Sequence, residues 1–219
     1  MTDDTAAKLR GFGPIGMLAM IVVVAFGPIL EPFGVLPALA WVHYSKTPWR
    51  ELGFVRPKSW FWTVAVGILF GTAFKLVMKA VIMPLLGAAP INQAYHDLAG
   101  NDAALPGILI VAILGAGFGE ETVFRGFLFE RLGKLLGSGV YAKAAIVVVT
   151  SLLFGLIHYP VQGWAGVEQS TITGLVFGTI FALTGRIFML MVAHAAFDVV
   201  AIFIIYLDLE VRVAHLVFN

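Results

Sequence analysis

Long apolar runs alternate with short polar ones along the whole chain, and the apolar runs are too long for a soluble core. The pattern predicts helical spans at 13–30, 32–44, 60–87, 104–130, 141–158, 170–184 and 187–207, since a span needs about 20 apolar residues. The stretch 32–44, "PFGVLPALAWVHY", is short, so the count is six or seven. The expected fold is an all-α membrane protein: a polytopic bundle of six to seven transmembrane helices around a buried polar site. Residues 1–103 form the N-terminal membrane spans, 104–207 a helical core and 208–219 a short C-terminal tail, all within one integral membrane domain.

Composition agrees. Of 219 residues, 60% are hydrophobic and 12% charged, against about 25% charged in soluble proteins. A net charge of +1, with no basic run, argues against a nucleic-acid partner. The expected partners are membrane lipid and a membrane-associated peptide or protein. Cysteine is absent, which excludes disulfides and thiolate chemistry. The opening "KLRGFGPIGMLAMIVVVAFG" resembles a signal peptide and "ALA" at 38–40 a cleavage site. A proline and a glutamate intervene, so residues 13–30 read as a retained span.

Loop charge predicts sidedness. Lys46, Arg50, Arg56 and Lys58 fall in 45–58; Arg131, Lys134 and Lys143 in 131–143; and Arg186 in the 184–186 turn. The alternate loops 88–102 and 159–169 carry no Lys or Arg. The basic segments are therefore placed in the cytoplasm, in a bacterial or archaeal cell membrane. Gly67/Gly71 and Gly174/Gly178 have the spacing that lets membrane helices approach closely. Lys75 and Lys79, one turn apart within 60–87, face a cavity or snorkel to the interface.

An ionisable residue inside a span is a candidate functional group, and three places qualify. In "EETVFR" (120–125), Glu121 and Arg125 stand at i, i+4, the favourable order for an ion pair. Glu120 is rotated by about 100° from Glu121 and points elsewhere; a carboxylate in a poorly solvated cavity suits a general base. The other reading is a helix end at the membrane surface with both glutamates solvated. In "FGLIH" (154–158), Phe154 lies one turn before His158, which reads equally as an interfacial histidine. In "HAAFD" (194–198), His194 and Asp198 share one helix face deep in an apolar run, as a functional pair or a link between helices.

One carboxylate, two histidines and an aspartate suit a zinc site formed by Glu120, His158, His194 and Asp198. They equally suit a metal-free site in which Glu120 and His158 activate water and His194 stabilises an oxyanion. Both imply hydrolysis. Ser151 is seven residues from His158 with no orienting acid, and no HExxH motif is present.

These three motifs, in this order and each in an apolar segment, resemble those of the CPBP intramembrane proteases: EExxxR, FxxxH and HxxxN or HxxxD. That family comprises type II CAAX prenyl endopeptidases and bacteriocin-processing or immunity (Abi) proteins. "RELGFVRP" (50–57) resembles the family's lead-in, and the motif-bearing likeness covers about 104–200. The resemblance implies a hydrolase, an intramembrane endopeptidase acting on a membrane-associated or lipidated substrate. Glu120 would activate water with His158 beside it, and Glu121 and Arg125 would support the site. His194 and residue 198 would bind the developing oxyanion or ligate a metal, as in a metalloendopeptidase, and Phe154 would wall the cavity. Eukaryotic CAAX proteases carry Asn where this chain has Asp198. An ionised Asp cannot donate to an oxyanion, so Asp198 orients His194, is protonated or binds a metal. A non-catalytic membrane chaperone or immunity factor, and a small transporter, are the alternatives.

The three motifs make one site only if 104–130 is a single tilted helix with Glu120 near mid-depth. With a short span ending at Glu120, that residue and His158 would lie about 25 Å apart, at ~1.5 Å per residue.

Overall fold

The computed structural model describes residues 3–26 and 32–218; residues 27–30 of the first expected span lie outside the described residues. The elements are α1 (Asp3–Arg10), α2 (Pro14–Phe26), α3 (Leu36–Ser45), α4 (Trp60–Leu85), α5 (Leu105–Leu136), α6 (Val140–Leu156), α7 (Tyr159–Thr184), α8 (Phe188–Tyr206) and α9 (Glu210–Ala214). No strand occurs among the described residues. The protein is a helical membrane bundle. Helices α4, α5 and α8 are each long and apolar enough to cross a membrane, and the α1–α2 pair, bent by 64°, would make a fourth as one broken span. Helix α6 is apolar but shorter.

The bundle is greasy outside as well as inside. Phe61, Leu69 and Trp62 on α4 and Leu183 on α7 are exposed, as expected where lipid replaces water as the outer solvent. Ser59 caps α4 by accepting from the Trp62 amide, so the helix begins on an aromatic triplet of the kind that sits at a headgroup boundary.

Glycines bring the site-bearing helices together. A Cβ at Gly71 of α4 would lie 2.0 Å from the Ala193 carbonyl oxygen of α8, and one at Gly67 would lie 2.8 Å from Val192. On α5, a Cβ at Gly117 would fall 2.8 Å from that of Ala195. Helix α8 is therefore gripped from both sides around His194. Between α6 and α7, Gly174 rests on Ser151 and Gly155 against Thr171. Both small-residue pairs read from the sequence thus serve close helix packing.

Two expected boundaries move. The segment 159–169 is helical, not a loop: α7 starts at Tyr159 with Pro160 in its first turn, a position proline favours. Gly163 breaks it with φ +59°, a conformation glycine adopts without a Cβ penalty. Helix α5 runs on to Leu136, so Arg131 is buried rather than in a basic loop. Its guanidinium pairs with Glu130 at 2.6 Å, donates to the Arg10 carbonyl at 2.6 Å and lies over Phe12 and Trp41. Those contacts compensate its burial.

Candidate active site

Helix α5 settles the convergence problem. It is one 32-residue helix with Glu120 at its middle, and its turns widen to i→i+5 hydrogen bonds over Val111–Glu120 and Thr122–Leu128. Such turns are rare and frequent at functional sites. His158 stands between α6 and α7, at the apex of their hairpin. His194 and Asp198 lie one turn apart on α8. Glu120, Phe154, His158, His194 and Asp198 all line one cavity of about 580 Å³, within the roughly 300–1,000 Å³ of small-ligand clefts.

His194 is the hub. Its Nδ1 is 2.7 Å from Glu121 Oε1. Its Nε2 faces Glu120 Oε2 at 3.6 Å and Asp198 Oδ2 at 3.7 Å. The two neighbouring glutamates therefore address opposite nitrogens of one ring. The spacing had sent Glu120 away from its neighbour's partners; instead both meet at His194. Glu121 Oε1 also accepts from Arg125 Nη1 at 2.8 Å, so one buried carboxylate oxygen joins the guanidinium and the imidazole. Glu121 is fully buried and Arg125 is 2% exposed. Neither lines the cavity; they sit behind it and hold His194.

His158 Nδ1 lies 2.7 Å from the Phe154 carbonyl oxygen. A carbonyl only accepts, so Nδ1 carries the proton and, in the neutral ring, Nε2 is the acceptor. Phe154 packs edge-on against both histidines, with centroids 4.9 Å from His158 and 5.9 Å from His194. Its face also lies 4.7 Å from the Arg125 guanidinium carbon.

Phe177 of α7 escaped the sequence reading. It packs 5.6 Å from the His194 ring, and the Arg125 guanidinium sits 5.6 Å over its face. Arg125 is thus flanked by two aromatic faces, which take the place of hydration around a buried cation. An apolar residue within "GLVFG" carries no chemical signal that could have marked it.

The zinc alternative meets a geometric test. Among the described residues no group of three or more His, Asp or Glu side chains is placed to hold a metal ion. As arranged, Glu120, His158, His194 and Asp198 do not fit a metal centre.

A second buried cluster borders the same cavity. Glu210 of α9 is 1% exposed. Its Oε1 accepts the Asn92 amide at 2.8 Å and faces Lys79 Nζ at 3.3 Å; its Oε2 lies 3.4 Å from His96 Nδ1. Lys79 also donates to the Pro90 carbonyl. A glutamate assigned to the C-terminal tail thus fastens the 88–98 segment over α4. Its partners are more than a hundred residues away in sequence, so no local pattern marks it.

The fold and this cavity define a helical membrane protein with a polar site enclosed among its spans. Residues 102–200, from just before α5 to most of α8, match the family model described as Type II CAAX prenyl endopeptidase Rce1-like, a likeness to the CPBP intramembrane proteases that covers just under half of the chain. No curated protein and no solved structure matches the chain.

Proposed function

We propose that the protein is an intramembrane endopeptidase that hydrolyses a peptide bond of a membrane-associated or lipidated substrate with a water activated by Glu120. The observation that carries this reading is the convergence of Glu120, His158, His194 and Asp198, drawn from α5, the turn between α6 and α7, and α8, on one cavity.

Glu120 takes a proton from the attacking water, and His158 Nε2 accepts a hydrogen bond that aligns it. The water oxygen adds to the carbonyl carbon, and negative charge develops on the carbonyl oxygen. Protonated His194 presents Nε2–H to that oxyanion. Asp198 and Glu121 flank the ring and hold its orientation, which gives Asp198 a role that needs no donated hydrogen bond. Glu120 then returns the proton to the departing amine, and the C–N bond breaks. Phe154 and Phe177 keep this corner apolar, where fixed charges act more strongly than in water.

The test is direct. The purified protein in liposomes without ion gradients is given a lipidated peptide, and the products are read by mass spectrometry. Two fragments whose masses sum to the peptide plus one water support the reading. An intact peptide points to a partner-binding chaperone or immunity factor. Peptide uptake that depends on an ion gradient points to a transporter.

A further inference from the structure

The cavity reaches only one end of the bundle. Its lining takes in α4 from Lys75 to Pro84, α5 from Ile108 to Glu120 and α8 from His194 to Ile205. These are the last part of α4, the first part of α5 and the last part of α8, which lie together in a bundle of alternating helices. The connecting residues in the lining, 88–95 and 157–158, and Glu210 of α9 belong to the same end. Among the described residues none of 46–59, 134–143 or 185–187, the connections at the opposite end, lines the cavity.

That opposite end is plugged. Leu52 and Gly53 are driven in between α5, α7 and α8. A Cβ at Gly126 of α5 would touch the Leu52 Cβ at 3.4 Å and Ile187 Cδ1 at 3.6 Å. The Ile187 amide donates to the Gly53 carbonyl at 3.0 Å. Gly53, at φ +86°, lies so close to Phe181 that a Cβ there would fall 2.4 Å from its ring. Leu52, Phe127, Ile187 and Leu190 are completely buried in this layer, which lies between the motif corner and the connections beyond it.

The two ends also differ in charge. The plugged end presents Lys46, Arg50, Arg56, Lys58, Lys134, Lys143 and Arg186, all exposed. At the cavity end, 86–104 and 157–169 contain no Lys or Arg, and 207–218 contains Arg212 alone. Lys79, within α4, is paired with Glu210. Lysine and arginine in short connections mark the cytoplasmic side of a membrane protein.

We propose that the cavity opens on the non-cytoplasmic side of the membrane, and that its substrate is a membrane-anchored peptide whose cleaved segment lies on that side. The second half rests on the peptidase reading above; the direction of the cavity does not. A chain end on the cytoplasmic side would have to pass the layer of Leu52, Phe127 and Ile187 to meet Glu120. A segment already outside enters past 88–95 and reaches Glu120 and His194 without crossing packed apolar side chains.

The chain contains no cysteine, so one introduced thiol reports one place. Ala103→Cys puts it in the exposed turn before α5, and Ser138→Cys in the exposed turn between α5 and α6. The full chain is produced in a bacterium, and spheroplasts are treated with a membrane-impermeant maleimide before and after detergent. The expected result is labelling of the Ala103→Cys protein in intact spheroplasts and of the Ser138→Cys protein only after detergent. The reverse, or labelling of both before detergent, overturns the proposal. In a second measurement, inner-membrane vesicles of either orientation carry the unaltered protein. They are given an acylated peptide whose basic segment keeps it from crossing the bilayer. Cleavage by right-side-out vesicles that is lost in inside-out ones supports the proposal, and cleavage confined to inside-out vesicles overturns it. Cleavage by neither, with the Ala103→Cys protein labelled from outside, overturns the peptidase reading and the substrate with it, and leaves an outward-facing binding cavity.

Discussion

Two buried charge clusters border one cavity, and they are built from the same kinds of residue. The motif corner joins Glu121 to Arg125 and His194. The far corner joins Glu210 to Lys79 and His96. In each, one carboxylate lies between a permanent cation and an imidazole. They differ in what remains once the pairing is complete. The motif corner has an inner pair sealed behind the wall and an outer set, Glu120 and Asp198, facing the cavity around His194. The far corner ties its carboxylate to a backbone amide, a lysine and a histidine, and what it connects is distant chain. Buried charge thus does two things here: it gathers titratable side chains at the cavity wall in one place and fastens the chain in another.

The largest expected effect separates the two histidines. His194→Ala removes the ring between Glu121 and Glu120, and hydrolysis should fall by about 10²–10⁴-fold. His96→Ala, the matching change in the far corner, should leave the turnover rate within about twofold. Cleavage assays on both proteins check this, and equal losses would erase the distinction. Next is Arg125→Ala, which leaves Glu121 as a buried carboxylate without its guanidinium. Breaking such a pair costs about 3–5 kcal/mol, readable as a large fall in thermal midpoint in detergent. Glu210→Gln keeps the acceptor for the Asn92 amide but removes the charge that meets Lys79. It should cost about 1–2 kcal/mol and speed proteolysis within 88–98 while leaving the rate at saturating substrate intact. The smallest expected quantity is the coupling between the corners. They share no partner, so Arg125→Ala and Glu210→Gln should add to within about 0.5 kcal/mol. A larger coupling would mean that the cavity transmits strain between them.

The same contrast explains what was legible in the sequence. Glu121 and Arg125 are four residues apart, as are Phe154 and His158, and His194 and Asp198. Helical periodicity alone puts each pair on one face, and the apolar setting marks each as costly. Membrane character, the all-helical fold and the glycine contacts were readable for the same reason, because they depend on local composition and spacing. That both glutamates would meet one imidazole was not readable, because it depends on the packing of α5 against α8 across 73 residues. Phe177 carries no polar signal. Glu210 finds Lys79 across 131 positions with no local pattern to announce it. Arg131 was placed in a loop because a charge near a span end is ordinarily solvated; here α5 continues and the Arg10 carbonyl, Glu130 and two aromatic rings receive it.

The central claim is that Glu120 is the base that activates water, and one paired measurement addresses it. Cleavage of a lipidated peptide and the thermal midpoint are recorded side by side for the unaltered protein and for Glu120→Gln, which keeps shape and hydrogen bonding but removes the basic carboxylate. The account predicts that cleavage falls by about 10²–10⁴-fold while the thermal midpoint stays within a few degrees. Cleavage that persists at the original rate in a folded Glu120→Gln protein would contradict it.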